Sequence, residues 1–286
     1  MRILLTNDDG IRAPGIEALH AALIDADGHF GGPIAEEILT CAPLTVQSAT
    51  SHGVTFHQPL MISEVRVNER MEGVAVDGRP ADCVKLALSN IWPERYGDGQ
   101  LPDLVISGMN AGANVGINVI YSGTVAAALE AAFLGVPSIA VSLHLGDGRS
   151  RFDIAARHAR DAIEQILDAA AGGDAIRSPS RQVHLDRHTC LNLGVPRTED
   201  DSPTPPVVVC PMNTHGHVDA YERRISPAGD VYYWSAGTGL DFRDSNEGAD
   251  VEMMWRGCIT VTPLKYDLTC PQALESWRDR FPSTSR

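Results

Sequence analysis

Three apolar residues, Ile3 to Leu5, end abruptly at the polar run Asn7, Asp8, Asp9. Residues 2–6 therefore predict a short buried strand. A turn and a helix follow, the helix opened by Pro14, whose fixed φ suits the first helical position. Ile16, Leu19 and Leu23 recur at i, i+3 and i+7, a core-facing stripe. Residues 27–35, "DGHFGGPIA", predict a surface loop, and "EEILTCAP" a second strand ending at Pro43. "VTFHQPLMISEVRV" predicts strands around Pro59, "PADCVKLALSN" a helix, and "DLVISG" a strand running into a glycine.

The pattern continues with "YSGTVAAALEAAFLGVPSIAVSLH". Ser122 can cap an alanine-rich helix, Gly135 can end it, and Pro137 stops its continuation. "SIAVS" predicts another buried strand, and the segment from Asp153 to Ala170 a further helix. Short apolar strands alternating with helices imply a mostly parallel sheet covered on both faces, an α/β fold. The pattern then changes. "CLNLGV", "PVVVC", "VYYWS" and "CITVTPL" predict strands separated by loops, with a hairpin turn from Pro227 to Asp230. The division expected is a catalytic core over 1–170. Residues 171–286 form an extension that partly completes the core and serves self-association.

Composition narrows the function. The 286 residues carry a formal net charge of −14 and no dense basic cluster, so polymeric nucleic acid is excluded as a stable partner. No apolar run approaches the length of a membrane span, and no secretory leader is recognisable at the N-terminus. A cytoplasmic protein without membrane association is expected. The six cysteines are scattered with no CxxC pair, which predicts buried thiols in place of a zinc site or disulfide scaffold.

In open α/β sheets, ligands collect at the carboxyl ends of strands. Three polar clusters fall at such ends: Asn7-Asp8-Asp9, "TVQSATS" and "SGMNAGANVG". Adjacent carboxylates repel, and a divalent cation would relieve them. Carboxylate, hydroxyl and amide oxygens are hard ligands suited to magnesium, manganese or calcium. Taken on their own, Asp8 and Asp9 are better explained by a polar turn ahead of a helix. Ser48 and Asn110 likewise gain weight only from their strand-end positions. Gly108, Gly112 and Gly116 lack the dinucleotide spacing; they either open backbone N–H groups to an anion or form an irregular loop. Ser122, Gly123 and Thr124 begin a helix, so they either grip a phosphate or simply cap it. No GxSxG elbow marks Ser122 as a nucleophile.

Together these motifs resemble the SurE (survival protein E) family. The resemblance rests on "LLTNDDG" with "APGI", "AP" with "QS", "PADCV", "SGMNAGANVG" running into "IYSGTVAAALEAAFLGVPSIAVS", and "LNLGVP" followed by "ITVTPL". It implies a three-layer Rossmann-like α/β sandwich with a C-terminal strand and hairpin extension. It also implies a homodimer or homotetramer that hydrolyses nucleoside 5′- and 3′-monophosphates, and in some members polyphosphate. One divalent ion per subunit (Mg, Mn or Ca) is implied on Asp8, Asp9, Ser48 and Asn110. Asp8 and Asp9 are the catalytic candidates. Asn114, Ser122, Gly123 and Thr124 would hold the phosphate, and His215 and His217 are weaker candidates for leaving-group acids. Where the family usually has Ser-Gly in its second motif, this chain has Ser48-Ala49. The rival readings are a non-catalytic nucleotide-binding stress protein of the same fold and a Rossmann-type dehydrogenase or glycosyltransferase. The absence of GxGxxG disfavours the last.

Overall fold

The computed structural model describes residues 1–146, 150–172, 183–198, 201–216, 220–236, 240 and 242–281. Its strands are β1 (Arg2–Thr6), β2 (Glu37–Pro43), β3 (Ile62–Arg66), β4 (Glu72–Val76), β5 (Leu104–Ala111), β6 (Ser138–Leu143), β7 (Cys190–Val195), β8 (Val207–Val209), β9 (Ala220–Ile225), β10 (Val231–Ala236) and β11 (Ile259–Leu264). Its helices are α1 (Pro14–Ile24), α2 (Pro80–Leu86), α3 (Trp92–Tyr96), α4 (Asn118–Tyr121), α5 (Gly123–Phe133), α6 (Phe152–Ala170), α7 (Asp250–Trp255) and α8 (Pro271–Arg280).

Nine of the described strands form one sheet in the order β3-β4-β2-β1-β5-β6-β7-β11-β8. From β4 to β7 every pair is parallel. β3 runs antiparallel at one edge, and β11 antiparallel to β7 at the other. Strand alternation splits the core in two. Ile3, Leu5, Ile106 and Ile139 face α1 and α6, where Leu19, Leu23, Ala159 and Ile163 meet them. Leu4, Leu39 and Val105 face the other way, toward Val84, Trp92 and Ala127. The result is the expected three-layer α/β sandwich. Burying each such Leu or Ile contributes about 1.5–3 kcal/mol, so both faces are firmly held.

One strand expectation and one helix boundary are corrected. In residues 54–67 only Ile62–Arg66 is a strand. The stretch before it runs as a loop because the backbone N–H and hydroxyl of Thr55 bind Asp82, at 2.8 and 2.7 Å, in place of a neighbouring strand. Its partner β4 gave no clear sequence signal, since "EGVAV" is short and contains Gly73. The helix read over 80–90 continues through a π turn at Ala87–Ile91 into α3. All six cysteines are free, but Cys270 is exposed while the other five are buried. Among the described residues no helix is long and apolar enough to cross a membrane.

The chain beyond residue 171 is not a separate layer. β7, β11 and β8 extend the main sheet, and α7 packs Val251 and Met254 against Ala113 and Val115. β9 and β10 form a two-stranded sheet of their own. None of the residues of α8 is buried.

Candidate active site

The parallel strands β1, β2, β5 and β6 end on the same edge, and the connections leaving that edge build the site. After β1 the chain turns sharply. Asn7, fully buried, accepts from the Gly10 N–H through Oδ1 (3.2 Å) and donates from Nδ2 to the Gly10 carbonyl (2.9 Å). This side-chain-closed turn leaves Asp8 and Asp9 at its apex. Gly15, early in α1, lies against β5; a Cβ there would stand 2.0 Å from the Met109 carbonyl oxygen.

Each carboxylate is fixed by one neighbour. Asp8 Oδ1 accepts from the Thr124 hydroxyl at 2.5 Å, and Asp9 Oδ2 accepts from the Ala111 N–H at 2.8 Å. Burial pushes the Asp8 carboxyl up to about 6; the Thr124 hydroxyl opposes that rise and the adjacent Asp9 charge adds to it. Burial raises Asp9 as well, against the Ala111 hydrogen bond. Both groups are therefore costly to keep ionised without a counter-charge.

Asn110 lies next to Ala111. Its Nδ2 donates to the Gly112 carbonyl at 2.7 Å, so Oδ1 is the side-chain atom that could ligate a metal. The loop after β2 comes alongside through the Gln47 N–H, which donates to the Asp8 carbonyl at 2.8 Å, and Ser48 follows, exposed to solvent. Ala49 adopts φ +54°, a left-handed conformation that favours glycine. Ala49 thus holds, after Ser48, a backbone conformation that glycine adopts more readily.

Two carboxylates and two neutral oxygen donors suit a hard divalent cation. Among the described residues no group of three or more His, Cys, Asp and Glu converges as a metal cluster. A cavity of about 390 Å³ opens beside Asp9, lined also by Arg12, Thr45, Val46 and Ala111.

The start of α5 meets the turn at Asp8. Ser122 is the N-cap; its Oγ accepts from the Val125 N–H at 3.1 Å and keeps its own hydrogen to give. Gly123 is pressed against the turn, where an added Cβ would lie 2.9 Å from Asp8 Cβ. Thr124, expected to grip phosphate, is fully buried and its hydroxyl is committed to Asp8. Asn114 is buried, its N–H bound to Ser142 Oγ (3.0 Å) and its carbonyl to Asn192 Nδ2 (2.7 Å). The Nδ2 of Asn114 is buried with no protein partner.

The glycine cluster serves the fold and not an anion. The Gly112 N–H goes to the Asn110 and Leu143 carbonyls. The Gly116 N–H donates to Asp250 Oδ2 at 2.8 Å. Asp250 is fully buried and also accepts from the N–H groups of Asn213 and Val251, both at 2.8 Å. It gave no sequence signal, because its partners lie 37 or more residues away except for Val251. His215 lies on the loop that Asp250 anchors through Asn213; His217 falls outside the described residues.

Comparisons with known proteins follow the same residues. The family model "Survival protein SurE" matches residues 3–217. A protein named 5′-nucleotidase SurE from Rhodopirellula baltica is 40% identical over 281 residues, covering 98% of both chains. One of the same name from Syntrophobacter fumaroxidans is 39% identical over 94% of this chain and 95% of its own. The crystal structure of the SurE protein from Aquifex aeolicus superposes with a TM-score of 0.73 at 31% identity, covering 98% of this chain and 99% of that one. With the strand-end clusters, the fold and these likenesses in agreement, the chain belongs to the SurE family.

Proposed function

We propose that this protein is a metal-dependent phosphoric monoester hydrolase, a 5′-nucleotidase that releases phosphate from nucleoside 5′- and 3′-monophosphates. The observation that carries the reading is the pair Asp8 and Asp9, one buried and the next half-buried, with raised carboxyls at the end of β1. Asp8, Asp9, Ser48 and Asn110 would hold one Mg, Mn or Ca ion, which when bound supplies charge to the phosphoryl oxygens and acidifies water. Phosphoryl transfer needs positioning and charge stabilisation above all. The start of α5 would present the Gly123 N–H and the Ser122 hydroxyl to the phosphate, and Asn114 is proposed as a further phosphate contact. The second oxygen of Asp8 or Asp9 serves as acceptor for the proton of the attacking water. Ser122 positions the phosphate and does not attack it.

The acidic chain meets its substrate as a small ester and not as polymeric nucleic acid. Free thiols, five of the six buried, support a reducing, cytoplasmic setting. The exposed β9–β10 hairpin supports assembly into a homodimer or homotetramer.

Asp9→Asn tests the reading. Turnover of AMP should nearly vanish while the fold survives, because the amide keeps the shape of the carboxylate. Manganese at a hundred times Kd should stabilise the wild type by roughly 2.7 kcal/mol and the variant far less. A variant that hydrolyses AMP at the wild-type rate would refute the assignment.

A further inference from the structure

Segment 44–55 carries Ser48 at its tip and is tied down at several points. The Gln47 N–H donates to the Asp8 carbonyl (2.8 Å). Ser51 reaches the end of α4, its N–H to the Tyr121 carbonyl (3.1 Å) and its Oγ to the Ile120 carbonyl (2.8 Å). Thr55 is held by both oxygens of Asp82 on α2. Between these points His52 leans onto α5. Its Nε2 lies 2.8 Å from Glu130 Oε2, and its ring stacks on Phe133 at 5.1 Å with planes 2° apart.

Glu130 is a buried carboxylate, 5% exposed, and its other oxygen receives Lys85 Nζ at 3.0 Å. These two partners hold its carboxyl below the ordinary range even though burial alone would raise it. A charged, fully engaged group at this depth is an expensive way to anchor a loop if packing were all that mattered. The loop itself needs restraint. Ala49 and Ser51 both sit in the left-handed region, at φ +54° and +53°. Such conformations persist only where the surroundings over-determine them.

The same helix holds the other side of the site. Thr124, in the first turn of α5, fixes Asp8, and Glu130 lies six residues further along, about 9 Å by helical rise. The Asp8 turn and the Ser48 loop are thus both referenced to one rigid element. We propose that His52 is a positioning residue: its hydrogen bond to Glu130 sets Ser48 at the distance from Asp8 that metal and phosphate binding require. This rests on the reading of Ser48 as a ligand given above.

The test measures the Mn²⁺ dissociation constant without substrate, by electron paramagnetic resonance of free Mn²⁺, together with kcat and KM for AMP and the melting temperature. His52→Ala should raise the Mn²⁺ Kd about tenfold, the lower range for groups that orient metal ligands, and raise KM. His52→Gln can donate to Glu130 from nearly the same place and should return Kd to within about threefold of wild type. Lys85→Met removes the partner of Glu130 that does not touch the loop, and should leave Kd unchanged. A His52→Ala protein with wild-type Kd and only a lower melting temperature would overturn the proposal. So would a Gln variant no better than Ala, which would place the effect in ring packing on Phe133. A Lys85→Met protein as impaired as His52→Ala would also overturn it, by placing the effect in the charge of Glu130. Asp9→Asn separates the two readings. Metal loss there but not in His52→Ala sinks the positioning role alone, whereas equal Mn²⁺ binding by wild type and Asp9→Asn sinks the metal assignment and this inference with it.

Discussion

Burial moves the Asp8 carboxyl from 3.8 to about 6, and that shift has a consequence for stability. A folded-state pKa above the unfolded value means that the folded chain holds the proton more tightly. The contribution is fully present below about 3.8 and is lost as pH rises through about 6. A shift of that size corresponds to about 3 kcal/mol. With divalent cations stripped, wild type should lose stability relative to Asp8→Asn between pH 4 and 6.5. Added manganese should stabilise wild type more at pH 7.5 than at pH 5, since protons compete for the same carboxylate. Melting curves of both proteins at the two pH values check this, and a constant gap between them would contradict it. At this scale the sequence was half legible. Two adjacent acids after an apolar run are visible in any alignment-free reading, but their commitment to Thr124 and Ala111 is not. Those partners lie 116 and 102 residues away, and a hydroxyl in an SGT run looks the same whether it faces a phosphate or a carboxylate.

The elements show how distant pieces of chain are drawn to one edge. α5 is legible from its Ser122 cap and alanine interior, because helix signals are local. α7 is not, although it closes the site loop: Asp250 collects the N–H groups of Gly116, Asn213 and Val251. Replacing Asp250 by Ala leaves three buried donors unpaired, at about 1–3 kcal/mol each before water relieves part of the cost. The expected result is a destabilised protein, by about 2–4 kcal/mol, with a reduced kcat because the segment from Asn110 to Gly116 loses its anchor. Asp250→Asn keeps one acceptor and should fall between. Denaturant melts paired with AMP hydrolysis decide the point. An Asp250→Ala enzyme of normal stability would show that this loop is held by the packing of Val115 on Met254 instead.

At the scale of the whole molecule the surface is uneven. The β9–β10 hairpin stands apart from the main sheet and exposes Tyr221, Ile225, Tyr233 and Trp234, the last by 68%. A lone two-stranded hairpin is marginal in water, and aromatic residues of this kind are enriched at interfaces. A second copy of the chain is the occupant we propose. Deleting residues 221–236 should reduce the particle size seen by light scattering. An unchanged oligomer would remove the hairpin from the interface.

Local chemistry was enough to read β1, α1, β2, α5, β6 and α6 from the sequence, along with the α/β class. A buried strand, a proline-opened helix and a capped helix each carry their signal within a few residues. The strand-end rule then singled out Asp8, Asp9, Ser48 and Asn110 before any coordinates. Tertiary structure alone decided what each polar group is bonded to. It gave the Thr124 hydroxyl to Asp8, the Gly116 N–H to Asp250, and Glu130 to His52 and Lys85. It also placed β7, β8 and β11 in the main sheet. Hydrogen bonds across a hundred residues leave no periodicity, because the groups become neighbours only when the sheet and its two helical layers bring their loops to the same edge.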